Sequence, residues 1–223
     1  MLRIRPFIAE LVGSFCYFFV AAGIVVADQF THGSIGLMGI ALANGLVLAI
    51  MLTALRPVAG GYFNPAVTIG LLLIKKIGRP SAIAFIIAQL IGGALAGFLL
   101  RAIFPSSVWE AAYLGVPHLT ANVSAGAGLF IELLLTFFLM IAVLGTSVDS
   151  MAPKLGGFGV GLMLTVDTLI GGTLTGAAAN PARAFGPALA ANYWDSHSIY
   201  WIGPIIGACI ASWLYTRWIS ETI

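Results

Sequence analysis

Charge is what this sequence has least of. Its ten Lys and Arg and eight Asp and Glu amount to 8% of 223 residues, against about 25% in a soluble domain. The few cations form no basic, aromatic-interleaved stripe, so the pI of 8.7 does not mark a nucleic-acid surface. Cysteine is nearly missing as well. Cys16 and Cys209 lie far apart, each inside an apolar run, which excludes a disulfide framework. No His/Cys/Asp cluster has metal-ligand spacing, no Ser or Cys nucleophile has a base beside it, and no phosphate loop occurs. The expectation is therefore no metal, no cofactor and no enzyme. What fills the chain is apolar: 60% hydrophobic residues and a mean hydropathy of +1.05, a composition for lipid rather than water.

At roughly 20 residues per membrane crossing, the pattern predicts an all-α integral membrane protein with full spans near 6–27, 35–55, 81–103, 127–148, 156–175 and 199–219. Arg3 and Arg5 precede the first apolar run without a small-residue cleavage site, which reads as a retained span and not a signal peptide. Arg3, Arg5, Arg56, Lys75, Lys76, Arg79, Lys154 and Arg217 then fall on one side, leaving only Arg101 and Arg183 elsewhere. By the positive-inside bias both termini are cytoplasmic. The compact size fits a prokaryotic inner (cell) membrane.

Asn64-Pro65-Ala66 recurs as Asn180-Pro181-Ala182, 116 positions later. Each copy is a helix start inside an apolar stretch: Asn is a strong N-cap, and Pro is tolerated at the first helical position, where its missing N–H would be unpaired anyway. Broken backbone at membrane depth is allowed only where it lines a cavity or is buried in protein. Matched broken helices in two halves point to a transport site near the midplane. Half-helices are expected near 65–74 and 181–190, entering from opposite sides with their N-termini meeting. Glu10 and Glu132 open matching segments of the first and fourth spans. The domain reading is one channel domain of two inverted repeats around a central pore, about 1–105 and 122–223, joined by a polar, weakly patterned loop near 104–126. The Asn122-Val123-Ser124 sequon in that loop is read as accidental.

These residues resemble the aquaporin, or major intrinsic protein, family across essentially the whole chain. The resemblance rests on Glu10-Leu11-Val12-Gly13, on Gly61-Tyr62-Phe63-Asn64-Pro65-Ala66-Val67-Thr68 and on Ala88-Gln89-Leu90-Ile91-Gly92. In the second half it rests on Glu132, Thr175-Gly176, Asn180-Pro181-Ala182-Arg183-Ala184-Phe185-Gly186-Pro187 and Tyr200-Trp201-Ile202-Gly203-Pro204. It implies six spans and two half-helices in each subunit of a homotetramer. It also implies an outer filter of Asn44, Thr168, Ala177 and Arg183. The strict water-channel pattern has a bulky aromatic at the first of these positions and His at the second, so Asn44 and Thr168 imply a wider, more polar opening. Ala184 departs from the Asp of the glycerol-channel pattern, and Ala177 replaces a cysteine of mercury-sensitive members.

The resulting expectation is passive conduction of water with small neutral solutes: ammonia, urea, glycerol, hydrogen peroxide or undissociated metalloid acids. Protons and ions are excluded by the two half-helix N-termini. Asn64 and Asn180 would donate to the solute, and Gly60, Gly61, Tyr62 and Phe63 with Gly176, Ala177, Ala178 and Ala179 would run extended and offer carbonyls. Glu10 and Glu132 read as anchors of these loops in preference to proton relays, and Asp167 as a loop anchor in preference to a source of negative potential near Arg183. His118 is a candidate pH sensor at the mouth, with a solvated loop side chain the plainer reading, shared by His32 and His197. The small-xxx-small runs at Gly93, Gly157 and Gly203 read as close crossings within one subunit. The alternatives are a strictly water-selective channel and an inverted-repeat secondary transporter.

Overall fold

The computed structural model describes residues 4–151, 153 and 155–220; Arg3 and Lys154 lie outside the described residues. Nine α-helices are found among them: α1 (Ile4–Phe30), α2 (Gly36–Ala59), α3 (Pro65–Leu73), α4 (Arg79–Ile103), α5 (Ser106–Ala111), α6 (Ala125–Val143), α7 (Phe158–Gly171), α8 (Pro181–Ala191) and α9 (Ile199–Leu214). π-turns at Leu144–Val148 and Tyr215–Ile219 extend α6 and α9. With those extensions, α1, α2, α4, α6 and α9 are long and apolar enough to cross a membrane. Their exposed faces carry aliphatic and aromatic side chains such as Ile8, Leu42, Phe98, Phe130 and Ile210, as a lipid-facing surface requires.

Helix packing follows an approximate two-fold plan. α1 packs on α2 and α4 as α6 packs on α7 and α9, while α2 and α7 meet at the centre. The two short helices cross over: α3 lies against α9 and α8 against α4, so each is held by the other half of the chain. Glycine permits the closest crossings. A methyl group on Gly161 would strike the Gly45 carbonyl, and one on Gly186 the Gly93 carbonyl. The Gly93, Gly157 and Gly203 runs are all spent on such contacts inside this chain.

Two expectations change. The fifth span, expected over 156–175, is the 14-residue helix α7. Gly156 has φ +60° and turns the chain away before the helix begins. After Gly171, Leu174 and Thr175 both donate their N–H to the Gly171 carbonyl, which closes the last turn, and the Thr175 hydroxyl is drawn to Glu132. The loop near 104–126 is also more ordered than its composition suggests. It holds α5 and a 3₁₀ turn at Tyr113–Gly115, with Leu114 and Val116 buried.

Candidate functional site

The two half-helices begin alike. Asn64 (φ −156°) and Asn180 (φ −164°) are extended N-caps, followed by Pro65 and Pro181 at the first helical position. Asn64 Oδ1 accepts from the N–H groups of Ala66 and Val67 at 2.9 and 3.4 Å. Asn180 Oδ1 accepts from those of Ala182 and Arg183 at 3.0 and 3.3 Å. This capping orients both amides. Asn64 Nδ2 donates to the Ala179 carbonyl and Asn180 Nδ2 to the Phe63 carbonyl, each at 2.8 Å. A primary amide has two N–H donors, so each Asn spends one on the opposite loop and retains one.

The loops leading into these helices are fastened by two buried carboxylates. Glu10 accepts from Tyr62 N–H, Phe63 N–H and Gln89 Nε2 at 2.8–2.9 Å. Gln89 also donates to the hydroxyl of Thr68, which in turn donates to the Asn64 carbonyl. Glu132 accepts from Ala178 N–H, Ala179 N–H and the Thr175 hydroxyl at 3.0, 2.7 and 2.6 Å. Tyr200 adds a hydrogen bond to the Thr175 carbonyl at 2.9 Å.

The extended backbone expected here is not what forms. Gly60, Gly61 and Phe63 have φ of +90°, +63° and +46°, and Gly176, Ala177 and Ala179 have +82°, +45° and +45°. Every pair is 116 positions apart. The cause is the carboxylate: two successive N–H groups converge on one acceptor only if the backbone alternates hand, as in an anion-binding nest. Left-handed Phe63, Ala177 and Ala179 cost of order 1–3 kcal/mol each and persist only where surrounding contacts hold them.

Of the four filter positions inferred from resemblance, Asn44 lies on α2 and Thr168 on α7, the two helices that meet at Gly45 and Gly161. Asn44 Nδ2 donates to the Ile40 carbonyl and Thr168 Oγ1 to the Leu164 carbonyl, each at 2.8 Å, so Thr168 turns its one donor back onto its own helix and Asn44 one of its two. Ala177 follows Gly176 in the second loop. Arg183 sits in the first turn of α8, with Nη1 donating to the Gly115 carbonyl at 2.8 Å and Nη2 to the Ala21 carbonyl at 3.2 Å. All four keep a sliver of accessible surface, 4–7%, where Glu10 and Glu132 have none. No hydrogen bond joins the four to one another among the described residues.

A cavity of about 300 Å³ reaches both Asn64 and Asn180. Its walls are Tyr17, Leu48, Leu139 and Val160, and Arg56 and Lys76 stand in its lining beside Gly60 and Gly61. The four filter positions do not line it. Several contributors escaped the sequence reading. The carbonyls that hold Arg183 come from α1 and from a loop, and Tyr17 was missed although it continues the buried stripe Glu10, Ser14, Tyr17, Ala21 of α1.

Asp167 does not anchor a loop. It is fully buried and neither carboxylate oxygen has a hydrogen-bond partner among the described residues. A buried carboxylate without donors opposes folding. Asp167→Asn, of equal size and without charge, is expected to stabilise the protein by about 1 kcal/mol or more with water flux unchanged. A lower melting temperature in detergent would reveal a partner for the carboxylate. His118 is not a free loop side chain either: Nδ1 lies 3.0 Å from the Val116 carbonyl, and the ring packs on Tyr113 and Tyr193. His197 accepts from Trp201 Nε1, and burial lowers its pKa below the usual histidine value.

Two half-helices meeting tip to tip inside a bundle of apolar helices, with a cavity ending on their caps, define a membrane channel. The family model described as Major intrinsic protein matches residues 1–215. The chain is 40% identical over 222 residues to a Zea mays protein named aquaporin TIP4-4, covering 95% of this chain and 85% of that one. It is 36% identical over 220 residues to Mus musculus aquaporin-8, covering 98% and 83%. Among solved structures, the aquaglyceroporin from Plasmodium falciparum matches with a TM-score of 0.85 over 97% of this chain and 96% of that one, at 24% identity. The chain belongs to the major intrinsic protein family. It is an integral, multi-pass membrane protein with the aquaporin fold, a passive channel for water and small solutes.

Proposed function

We propose that this channel conducts water together with small neutral solutes (ammonia, urea, glycerol, hydrogen peroxide or undissociated metalloid acids) and holds back protons and ions, without catalysing a reaction. The observation that carries this reading is the make-up of the filter positions. Asn44, Thr168 and Ala177 are small, and the first two have spent a donor on their own helices, which leaves oxygen lone pairs for a solute. Arg183 faces the opposite task. A guanidinium has five N–H donors, and two of them are held by Gly115 and Ala21. Guanidinium donors together with the oxygens of Asn44 and Thr168 and the remaining Asn44 N–H suit a neutral solute carrying both donors and acceptors. Farther in, Asn64 and Asn180 each retain one N–H at the junction of two positive helix ends, a place where a cation is repelled.

Arg183→Val tests the ion barrier. Proton and cation conductance should rise at least about tenfold, because a barrier change of only about 1.4 kcal/mol gives that factor, with water flux retained. Unchanged conductance in planar bilayers would remove Arg183 from that role. Two structural expectations accompany the proposal. The protein assembles as a homotetramer, and it lies in a cell (inner) membrane with both termini cytoplasmic, the side to which Arg5, Arg56, Lys75, Lys76, Arg79 and Arg217 belong.

A further inference from the structure

We propose that the groove between α3, the start of α4 and α9 binds one anionic phospholipid, its phosphate held by Lys75 and Arg79 and an acyl chain laid along Ile69, Leu72, Leu73 and Ile77. The groove measures about 630 Å³ and shares no lining residue with the conduction cavity. One end is aliphatic. Cys209 of α9 lies along it, and at 1.5 Å per residue it sits roughly 15 Å before the end of the helix at Ile219. The groove therefore runs from the membrane boundary into hydrocarbon depth.

The other end is cationic. Lys75 and Arg79 are exposed, flank Gly78, and meet no carboxylate in the groove lining. Helix α4 opens at the same place, with Gly78 offering no side-chain cap and Pro80 in the first turn. Its unpaired N–H groups add partial positive charge beside the two side chains. The apolar floor alone gives no preference, since bulk lipid is equally apolar. Selection comes from the charges, and two basic residues near a membrane surface correspond to about a 30-fold preference for an anionic over a zwitterionic headgroup. The chain-lined floor in turn separates a lipid from free phosphate, which has nothing to lay along it.

Native mass spectrometry of the purified full-length channel provides the test, titrating phosphatidylglycerol against phosphatidylcholine of the same acyl chains. The first phosphatidylglycerol should bind about 30-fold more tightly. Lys75→Gln/Arg79→Gln should erase the preference by removing the charges, and Cys209→Phe should weaken binding by filling the groove. Arg217→Gln, a cation outside the groove, should leave binding intact, and inorganic phosphate should form no adduct. Water flux of each variant in proteoliposomes reports separately on folding. Equal binding of the two lipids, a preference that survives both groove variants, an equal loss in Arg217→Gln, or phosphate binding as tightly as lipid would each overturn the assignment.

Discussion

Glu132→Ala abolishes water conduction and sharply lowers the melting temperature of the channel in detergent: this is the largest expected effect of any single substitution here. Glu132 is fully buried and is the acceptor for Ala178 N–H, Ala179 N–H and the Thr175 hydroxyl. Its removal leaves the N–H groups of Ala178 and Ala179 without a partner, at about 1–3 kcal/mol each, and leaves the Thr175 hydroxyl only its longer bond to the Gly171 carbonyl at 3.4 Å. That loss is a large part of the roughly 5–15 kcal/mol that separates folded from unfolded proteins. Ala177 and Ala179 are also left-handed, a conformation the Glu132 bonds help to hold. Without them the second loop relaxes, Ala179 withdraws its carbonyl from Asn64, and the junction of the half-helices opens. Glu132→Gln should be intermediate, because one of its two terminal atoms still accepts while the other faces an N–H with a donor. Melting temperature and stopped-flow water flux read both effects. Wild-type values for Glu132→Ala would mean that the loop is held by other contacts.

The second large effect concerns selectivity. Asn44→Phe/Thr168→His adds bulk at two of the four proposed filter positions. Urea and glycerol permeability should fall by about tenfold or more, with water flux largely retained, since a narrower pore rejects by diameter before it rejects a single water molecule. The substitutions sit on α2 and α7 beside the tight Gly45–Gly161 crossing, so melting temperature must be followed to separate narrowing from misfolding. Solute permeabilities unchanged alongside retained water flux would show that Asn44 and Thr168 do not bound the conduction path.

Much of the fold was legible because the decisive signals are local. An Asn-Pro pair contains both a cap and a break, and it places the starts of α3 and α8 at Pro65 and Pro181. Long apolar runs place α1, α2, α4, α6 and α9 to within a few residues of their ends. The errors fall where distant contacts decide. The length of α7 depends on Gly156 and on the pull of Glu132 on Thr175, neither visible in hydropathy. Extended loops were the natural reading of Gly and Ala runs, yet a carboxylate more than forty residues away in sequence selects the alternating hand. The brace on Arg183 comes from Gly115, 68 residues away in a loop that reads as unpatterned. Asp167 beside Thr168 reads as a loop anchor, and nothing in its own helix reveals that no donor among the described residues reaches its carboxylate.

The most direct test of the conduction reading is stopped-flow light scattering on proteoliposomes of the purified protein, with an impermeant osmolyte compared with urea and glycerol and with empty vesicles as reference. The filter composition predicts fast shrinkage under the impermeant osmolyte and rapid reswelling under urea and glycerol. Fast shrinkage with no reswelling faster than that of empty vesicles would make this a water-selective channel for those solutes and contradict the role given to Asn44, Thr168 and Ala177.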